Sequence, residues 1–218
     1  MKKIGTFLLA ILLGAPLLRA QNVEYGDQVE KRSVSGFSAI EASAGIQVII
    51  SKGDKEELAV SVSNKDYLDE VKTVVQGGVL KIYRSSDWKF WRQWKNWKIK
   101  VYVSFTSLDA VKASSGASVS AKDIKLQKLN ARLNSGGSIT LSGTVQDLDV
   151  DGSSGAQFHG YELVSTMCKA EASSGAGIQV NVSKEISASA NSGGFIRYKG
   201  EGLIRNINVN SGGSVKRS

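Results

Sequence analysis

The sequence predicts an all-β protein whose C-terminal half is a parallel β-helix, a solenoid of stacked coils. Three observations predict it. A Ser-Gly dipeptide recurs at nearly constant intervals, apolar residues alternate in register on both sides of it, and neither a long 3.6-residue apolar stripe nor an internal proline interrupts the pattern.

The dipeptide occurs as Ser115-Gly116, Ser135-Gly136, Ser154-Gly155, Ser174-Gly175, Ser192-Gly193 and Ser211-Gly212, spaced 20, 19, 20, 18 and 19 residues apart. An earlier copy, Ala44-Gly45, lies 71 residues before the first of these. Fixed self-similarity of this length is the signature of a repeat architecture.

Register around the dipeptide is tighter than its spacing. Four residues before the Ser or Ala stand Ile40, Val111, Ala131, Val150, Ala170, Ala188 and Ile207. Four after it stand Val48, Val119, Ile139, Phe158, Ile178, Ile196 and Val215. Polar residues such as Glu41, Lys112, Arg132, Asp151 and Glu171 intervene. Period-two alternation of this kind predicts strands with one buried face. The repeated Gly45, Gly116, Gly136, Gly155, Gly175, Gly193 and Gly212 permit a positive φ between them. The flanking Ser and Asn suit turns and, as outward ladders, hydrogen bonding along the stack.

A unit of ~19 residues makes a circuit on the order of 60 Å, and coils stack about 4.8 Å apart. One coil cannot bury its own apolar face, so several must occur together. A β-sandwich of hairpins is the rival, but the register-preserving ladder favours the solenoid.

Residues 34–107 hold the first copy of the motif and then depart from it. Alternation in Leu58–Val62, Val71–Val75, Val79–Tyr83 and Ile99–Phe105 predicts further strands, with a turn at Gly77-Gly78 and a short turn near Asp66–Val71. These are expected to form irregular first layers that cap the stack. With 108–218 as regular repeats, 34–218 reads as one domain, preceded by an N-terminal extension over 21–33.

Residues 1–20 read as a signal peptide. Lys2 and Lys3 precede the apolar run Ile4 to Leu13, and Arg19-Ala20 offers a cleavage site. The run is too short for a membrane span. Export is the expectation, to the cell surface, the medium or the periplasm, with no transmembrane span after cleavage. The formal charge of +8 falls to +5 once Lys2, Lys3 and Arg19 are removed. That charge, with export, argues against a nucleic-acid partner. Cys168 is the only cysteine, so no internal disulfide forms, and its apolar surroundings predict a buried, inert thiol.

The chemistry of a cofactor or nucleophilic enzyme is missing. His159 is the sole histidine and reads as a solvated surface residue rather than a general base. One Cys and one His cannot supply a usual zinc site, the Ser-Gly motifs lack the aspartates of calcium loops, and no phosphate loop is present. The best enzymatic hint is acidic. Asp147, Asp149 and Asp151 alternate on one face, and Asp151 and Glu171 take equivalent positions on adjacent coils, within retaining-glycosidase reach. Lys112 and Arg132 share that ladder, and a surface charge ladder explains all four.

The candidate binding element is Asp87–Lys98. It carries Trp88, Trp91, Trp94 and Trp97 at three-residue spacing, followed in turn by Lys89, Arg92, Lys95 and Lys98. Indole faces accept cations and serve as sugar platforms. The alternative is a packing cap with solvated basic residues.

The run Gly36-Phe37-Ser38-Ala39-Ile40-Glu41-Ala42-Ser43, then Gly45-Ile46-Gln47-Val48, the strand Val79-Leu80-Lys81-Ile82 and the Ser-Gly train resemble a known family. It is the "putative autotransporter adhesin, head GIN domain" family of Bacteroidetes-type bacteria, matched over about residues 33–216. The resemblance implies a right-handed β-helix related in shape to pectin-lyase-like proteins, without a recognised catalytic set or established functional residues. The expected function is a non-enzymatic adhesion or binding module whose ligand is a glycan or an envelope or surface protein. The alternatives are a periplasmic structural or envelope accessory protein and, last, a polysaccharide-active enzyme. No cofactor is expected, and the open end near Val209–Val215 could pair with another copy.

Overall fold

A computed structural model describes residues 28–85 and 98–218. Among them the fold is all-β: fifteen strands join one continuous, wrapped sheet, with a single 3₁₀ turn at Lys65–Tyr67.

The regular part is a solenoid. Strands β9 (Ser118–Leu133), β10 (Ser138–Gly152), β11 (Gln157–Ala172) and β12 (Gly177–Ala190) stack in parallel. Then β13 (Phe195–Lys199), β14 (Leu203–Val209) and β15 (Ser214–Arg217) complete the last coils. Each coil has two corners. One is the Ser-Gly element. The other falls at Asp123, Ser142-Gly143, Gly160–Glu162 and their equivalents, where the register shifts.

The Ser-Gly corner is tighter than the sequence alone suggests. In the third coil boundary, for example, Ser135 has φ +49 and Gly136 φ +70, and Gly137 N–H donates to the Asn134 carbonyl at 2.9 Å. Positive φ at both central residues is the type I′ pattern. Serine carries a strain of about 1–2 kcal/mol in this region, whereas glycine carries none. The turns also bond to one another through backbone. Gly116 N–H donates to the Ser135 carbonyl at 3.1 Å, Gly136 to Ser154 at 3.1 Å, and so on to Gly193 and Ser211 at 3.3 Å.

Coil lengths of 18 to 20 residues are reconciled at the opposite corner. Asp123 is an extra residue of β9 with φ +54, and three residues of β11, Tyr161–Leu163, have no partner in β12. The Ser-Gly side keeps strict register because its neighbours are bonded turn to turn.

Apolar positions read from the sequence fill the interior. Val119, Ile139, Phe158, Ile178 and Ile196 are buried, as are Val111, Ala131, Val150, Ala170 and Ala188. Cys168 lies among them, and burial pushes its thiol up to about 12. The sequence's reading of a buried cysteine holds.

The first coil, β2 (Ala39–Ala42) and β3 (Gln47–Lys52), stacks on β8 (Ala110–Ala113) and β9. Its outer neighbour comes later in the chain. Strands β6 (Val79–Arg84) and β7 (Ile99–Phe105) form a further parallel layer on β2 and β3. Three antiparallel strands then close that end: β4 (Glu57–Val62) on β7, β1 (Gln28–Arg32) on β4, and β5 (Val71–Gln76) on β6. Strand β1 falls within the segment read from sequence as an N-terminal extension; its charged residues give no apolar alternation to detect.

Candidate functional site: an open groove on the outer sheet face

Strands after the Ser-Gly corner present their odd positions outward, and parallel register sets those positions in rows. One row runs Tyr102, Ile49, Ser120, Thr140, His159, Gln179, Arg197 and Lys216. Beside it lie Lys100, Gln47, Ser118, Ser138, Gln157, Gly177 and Phe195.

Side-chain size along these rows makes the surface concave. Ser120 and Thr140 are short, whereas Tyr102 and Lys100 rise on one side and His159 and Gln179 on the other. The groove has a volume of about 1580 Å³. It is lined further by Glu56–Ala59 and the end of β1, and by Lys122, Ser142, Tyr161 and Glu162 at the irregular corner.

The groove carries hydroxyls, a phenol at each side, an imidazole, an amide and charges of both signs. His159 Nδ1 lies 3.4 Å from Gln179 Oε1. Tyr161 is fixed by its hydroxyl, 2.6 Å from Ser218 Oγ, and by Lys199 Nζ, 5.3 Å from its ring centroid. Ser104 Oγ donates to the Lys55 carbonyl at 2.7 Å, and Asn181 Nδ2 donates to the Tyr161 carbonyl at 3.2 Å. Many orthogonal donors and acceptors over a long, open surface suit a polyhydroxylated polymer better than a compact small molecule. Compact ligands are buried in enclosed pockets, and this groove is open.

The acidic residues singled out from sequence lie elsewhere. Asp149, Asp151 and Glu171 occupy the other side of the coil, away from the groove lining. Asp151 does face Glu171 across the stack, as its register requires. Charge pairing dominates this face. Arg132 grips Asp149 with two bonds, Nη1 to Oδ1 at 3.0 Å and Nη2 to Oδ2 at 3.4 Å, which raises the arginine's pKa. Lys169 Nζ sits 2.7 Å from Glu171 Oε1, and Lys112 Nζ sits 2.7 Å from Glu41 Oε1. The face is a ladder of ion pairs, as the residue types suggest. Among the described residues no three His, Cys, Asp or Glu side chains cluster to hold a metal.

Of the tryptophan-rich element, Trp88, Trp91, Trp94, Trp97, Lys89, Arg92 and Lys95 lie outside the described residues, and Lys98 is exposed. The strands on either side of it fix where it is attached. Ala42 pairs with Ile82, and Gln47 with Lys100, so the segment leaves and re-enters at the corner where the other coils make Ser-Gly turns. Re-entry leads directly into β7, whose Lys100 and Tyr102 line the groove. Tyr102, Tyr161 and the Ser/Thr floor were not recognised as candidates from sequence. Their signal is lateral: each is an outward residue whose neighbours come from other coils.

The described residues thus form a parallel β-solenoid with an ion-paired side and an open polar groove. The chain belongs to the family described as "Putative auto-transporter adhesin, head GIN domain", whose model matches residues 36–202. Among solved structures, a "putative adhesin" from Bacteroides fragilis superposes with a TM-score of 0.71. That match covers 88% of this chain and 96% of that one at 17% identity, and it shows the shared fold. A "putative adhesin" from Parabacteroides merdae matches with a TM-score of 0.46 at 18% identity, covering 89% of this chain and 98% of that one. A "putative lipid binding protein" from Parabacteroides distasonis gives 0.48 at 20% identity, covering 88% and 96%. No curated protein matches the chain.

Proposed function

We propose that this chain is an exported, non-enzymatic binding module that holds an extended glycan at the bacterial cell surface. The groove over β7, β3, β9, β10 and β11 is the observation that carries the reading. Its row of short hydroxyl side chains between Tyr102 and Tyr161 offers hydrogen bonds to sugar hydroxyls and aromatic faces to sugar rings. Family membership among adhesin-type proteins supports the surface location. The tryptophan and basic residues of Asp87–Lys98, joined to the groove strand β7, are proposed to extend the binding surface beyond the Tyr102 end.

The test is binding to a panel of soluble polysaccharides, read by calorimetry, for the parent chain, Tyr102→Ala, Tyr161→Ala and Trp91→Ala with Trp94→Ala. Loss of binding by about tenfold or more in the groove variants, with unchanged melting, supports the groove. Binding indifferent to both tyrosines sinks it. Separately, protease cleavage of a tagged chain on intact cells supports surface display. Protection until permeabilisation would move the protein to the periplasm, where an envelope protein becomes the expected partner.

A further inference from the structure

We infer that the polymer held by this face is anionic, a glycan carrying carboxylate or sulfate groups, and that Arg197 and Lys216 take one of its charges just past the groove. The inference rests on the groove reading above and adds the charge class of the ligand.

The observation is a one-sided charge pattern. Between the Ser-Gly corner and the irregular one, strands β3, β7, β9, β10, β11, β12, β13 and β15 set alternate residues outward. The ionised residues at those outward positions are Lys100, Lys122, Arg197, Lys199 and Lys216, and none is an aspartate or glutamate. Of these cations only Lys199 has a carboxylate partner among the described residues, Glu162 at 3.6 Å. The opposite side of the coil answers its cations with acids. Lys112 meets Glu41, Arg132 meets Asp149 and Lys169 meets Glu171, at 2.7, 3.0 and 2.7 Å.

Acids do line the groove, but from other elements. Glu57 stands on the antiparallel β4, Glu56 precedes it and accepts the Gly36 N–H at 2.6 Å, and Asp123 and Glu162 sit at the irregular corner. Acids elsewhere in the sequence cannot reach Arg197 or Lys216. Outside the described residues the only ones are Glu24, Asp27 and Asp87. Asp87 is two residues, about 7 Å of chain, from Ser85, whereas β13 lies six strand spacings, roughly 29 Å, from the β6–β7 layer. Glu24 is four residues, about 14 Å, from Gln28, and β1 lies eight spacings, roughly 38 Å, from β13.

Arg197 and Lys216 stand directly opposite each other on β13 and β15. Like charges in that relation repel. An anion between them removes the repulsion, and the guanidinium offers it a planar fork of donors. The pair also continues the groove. Its row runs Thr140, His159, Gln179, Arg197 and Lys216, so a polymer crossing the strands meets the cations next. Strands are about 4.8 Å apart, close to the length of one sugar unit in an extended polysaccharide. A single-stranded nucleic acid, the other common polyanion, needs aromatic platforms for successive bases. The strands between Tyr102 and Tyr161 offer hydroxyls, which suit sugars.

The experiment is calorimetric titration of the full chain, at low and moderate salt, with two matched pairs. One is polygalacturonate against its fully methyl-esterified form, the other dextran sulfate against dextran. Each pair shares a sugar backbone and differs in charge. At least one charged form is expected to bind about tenfold or more tighter than its neutral partner, and less tightly as salt rises. The responding pair distinguishes a carboxylate from a sulfate. Arg197→Gln with Lys216→Gln should weaken that binding by about tenfold or more. Both side chains are exposed, so this variant should keep its melting temperature. Lys112→Gln with Lys169→Gln removes the same charge from the other side of the coil and should leave binding unchanged. Neutral forms that bind as tightly as charged ones, no binding of either charged polymer, equal losses in the two double variants, or displacement by an oligothymidylate of equal charge overturns the inference. Charge-indifferent binding lost in Tyr102→Ala and Tyr161→Ala overturns the anion subsite and leaves the groove. Binding that needs Arg197 and Lys216 but ignores both tyrosines overturns the groove and leaves the anion subsite.

Discussion

The two ends of the described solenoid are built differently. At the N-terminal end the final parallel layer, β6 and β7, is covered by antiparallel strands, and Arg32 ties those strands together. Its guanidinium donates to the Leu68 carbonyl at 2.7 Å, to the Val71 carbonyl and to Thr73 Oγ1 at 3.3 Å. Arg84 extends the turn ladder: its Nε donates at 2.8 Å to the Ala44 carbonyl, which among the described residues receives no glycine N–H. Among the described residues neither device stands on β14 and β15, and the last coil keeps the geometry of an interior one.

That contrast can be broken or sharpened by substitution. The largest difference is expected in the interior. Phe158→Ala empties a fully buried site and should cost about 3–5 kcal/mol, while Val209→Ala at the open end should cost under about 1 kcal/mol in the monomer. Urea unfolding of the two variants measures this. Equal losses would mean the end coil is as tightly packed as the centre.

Cys168 tests whether the stack opens as a whole. Its folded thiol keeps its proton until about pH 12, whereas an unfolded thiol loses it near pH 8.5. The raised folded value means stability is intact below about pH 8.5 and declines between there and 12, by about 1.4 kcal/mol per unit. Alkylation of Cys168 should follow global unfolding measured by circular dichroism; modification well ahead of it would show that the end coils fray inward.

A glycine pair gives a smaller contrast. A β-carbon on Gly137 would lie 2.3 Å from the Ala113 carbonyl oxygen, and one on Gly213 would lie 2.2 Å from that of Ala190. The clashes are equal, but only the terminal coil can shift away. Gly137→Ala should cost about 2–3 kcal/mol and Gly213→Ala under about 1 kcal/mol, compared by thermal melting. A single-site effect of modest size is expected at the turn cap, where Arg84→Ala should cost about 0.5–1.5 kcal/mol and speed amide exchange around Ala44-Gly45.

What could be read from sequence follows from which contacts are periodic. The Ser-Gly corner and the inward rows repeat every coil, so alignment of the chain on itself exposes them. The opposite corner does not repeat, because Asp123 and Tyr161–Leu163 absorb different lengths there. The positive φ of the serines was hidden because serine rarely adopts it, and only the stacked backbone bonds reveal why it persists here. The placement of β6 and β7 outside β2 and β3 was invisible, since Val79–Arg84 and Ile99–Phe105 show alternation but no Ser-Gly marker. The groove needed that placement: Tyr102 faces Ile49 only because a later strand stacks on an earlier one.

The order of coils from β8 onward has a consequence for assembly. Space and sequence run together there, each coil of 18 to 20 residues bonding to the one just made. A chain emerging N-terminus first can therefore fold on a template already present, one short loop closure at a time. The closed end comes earlier in the chain than the regular coils, so each new coil has a finished template to add to.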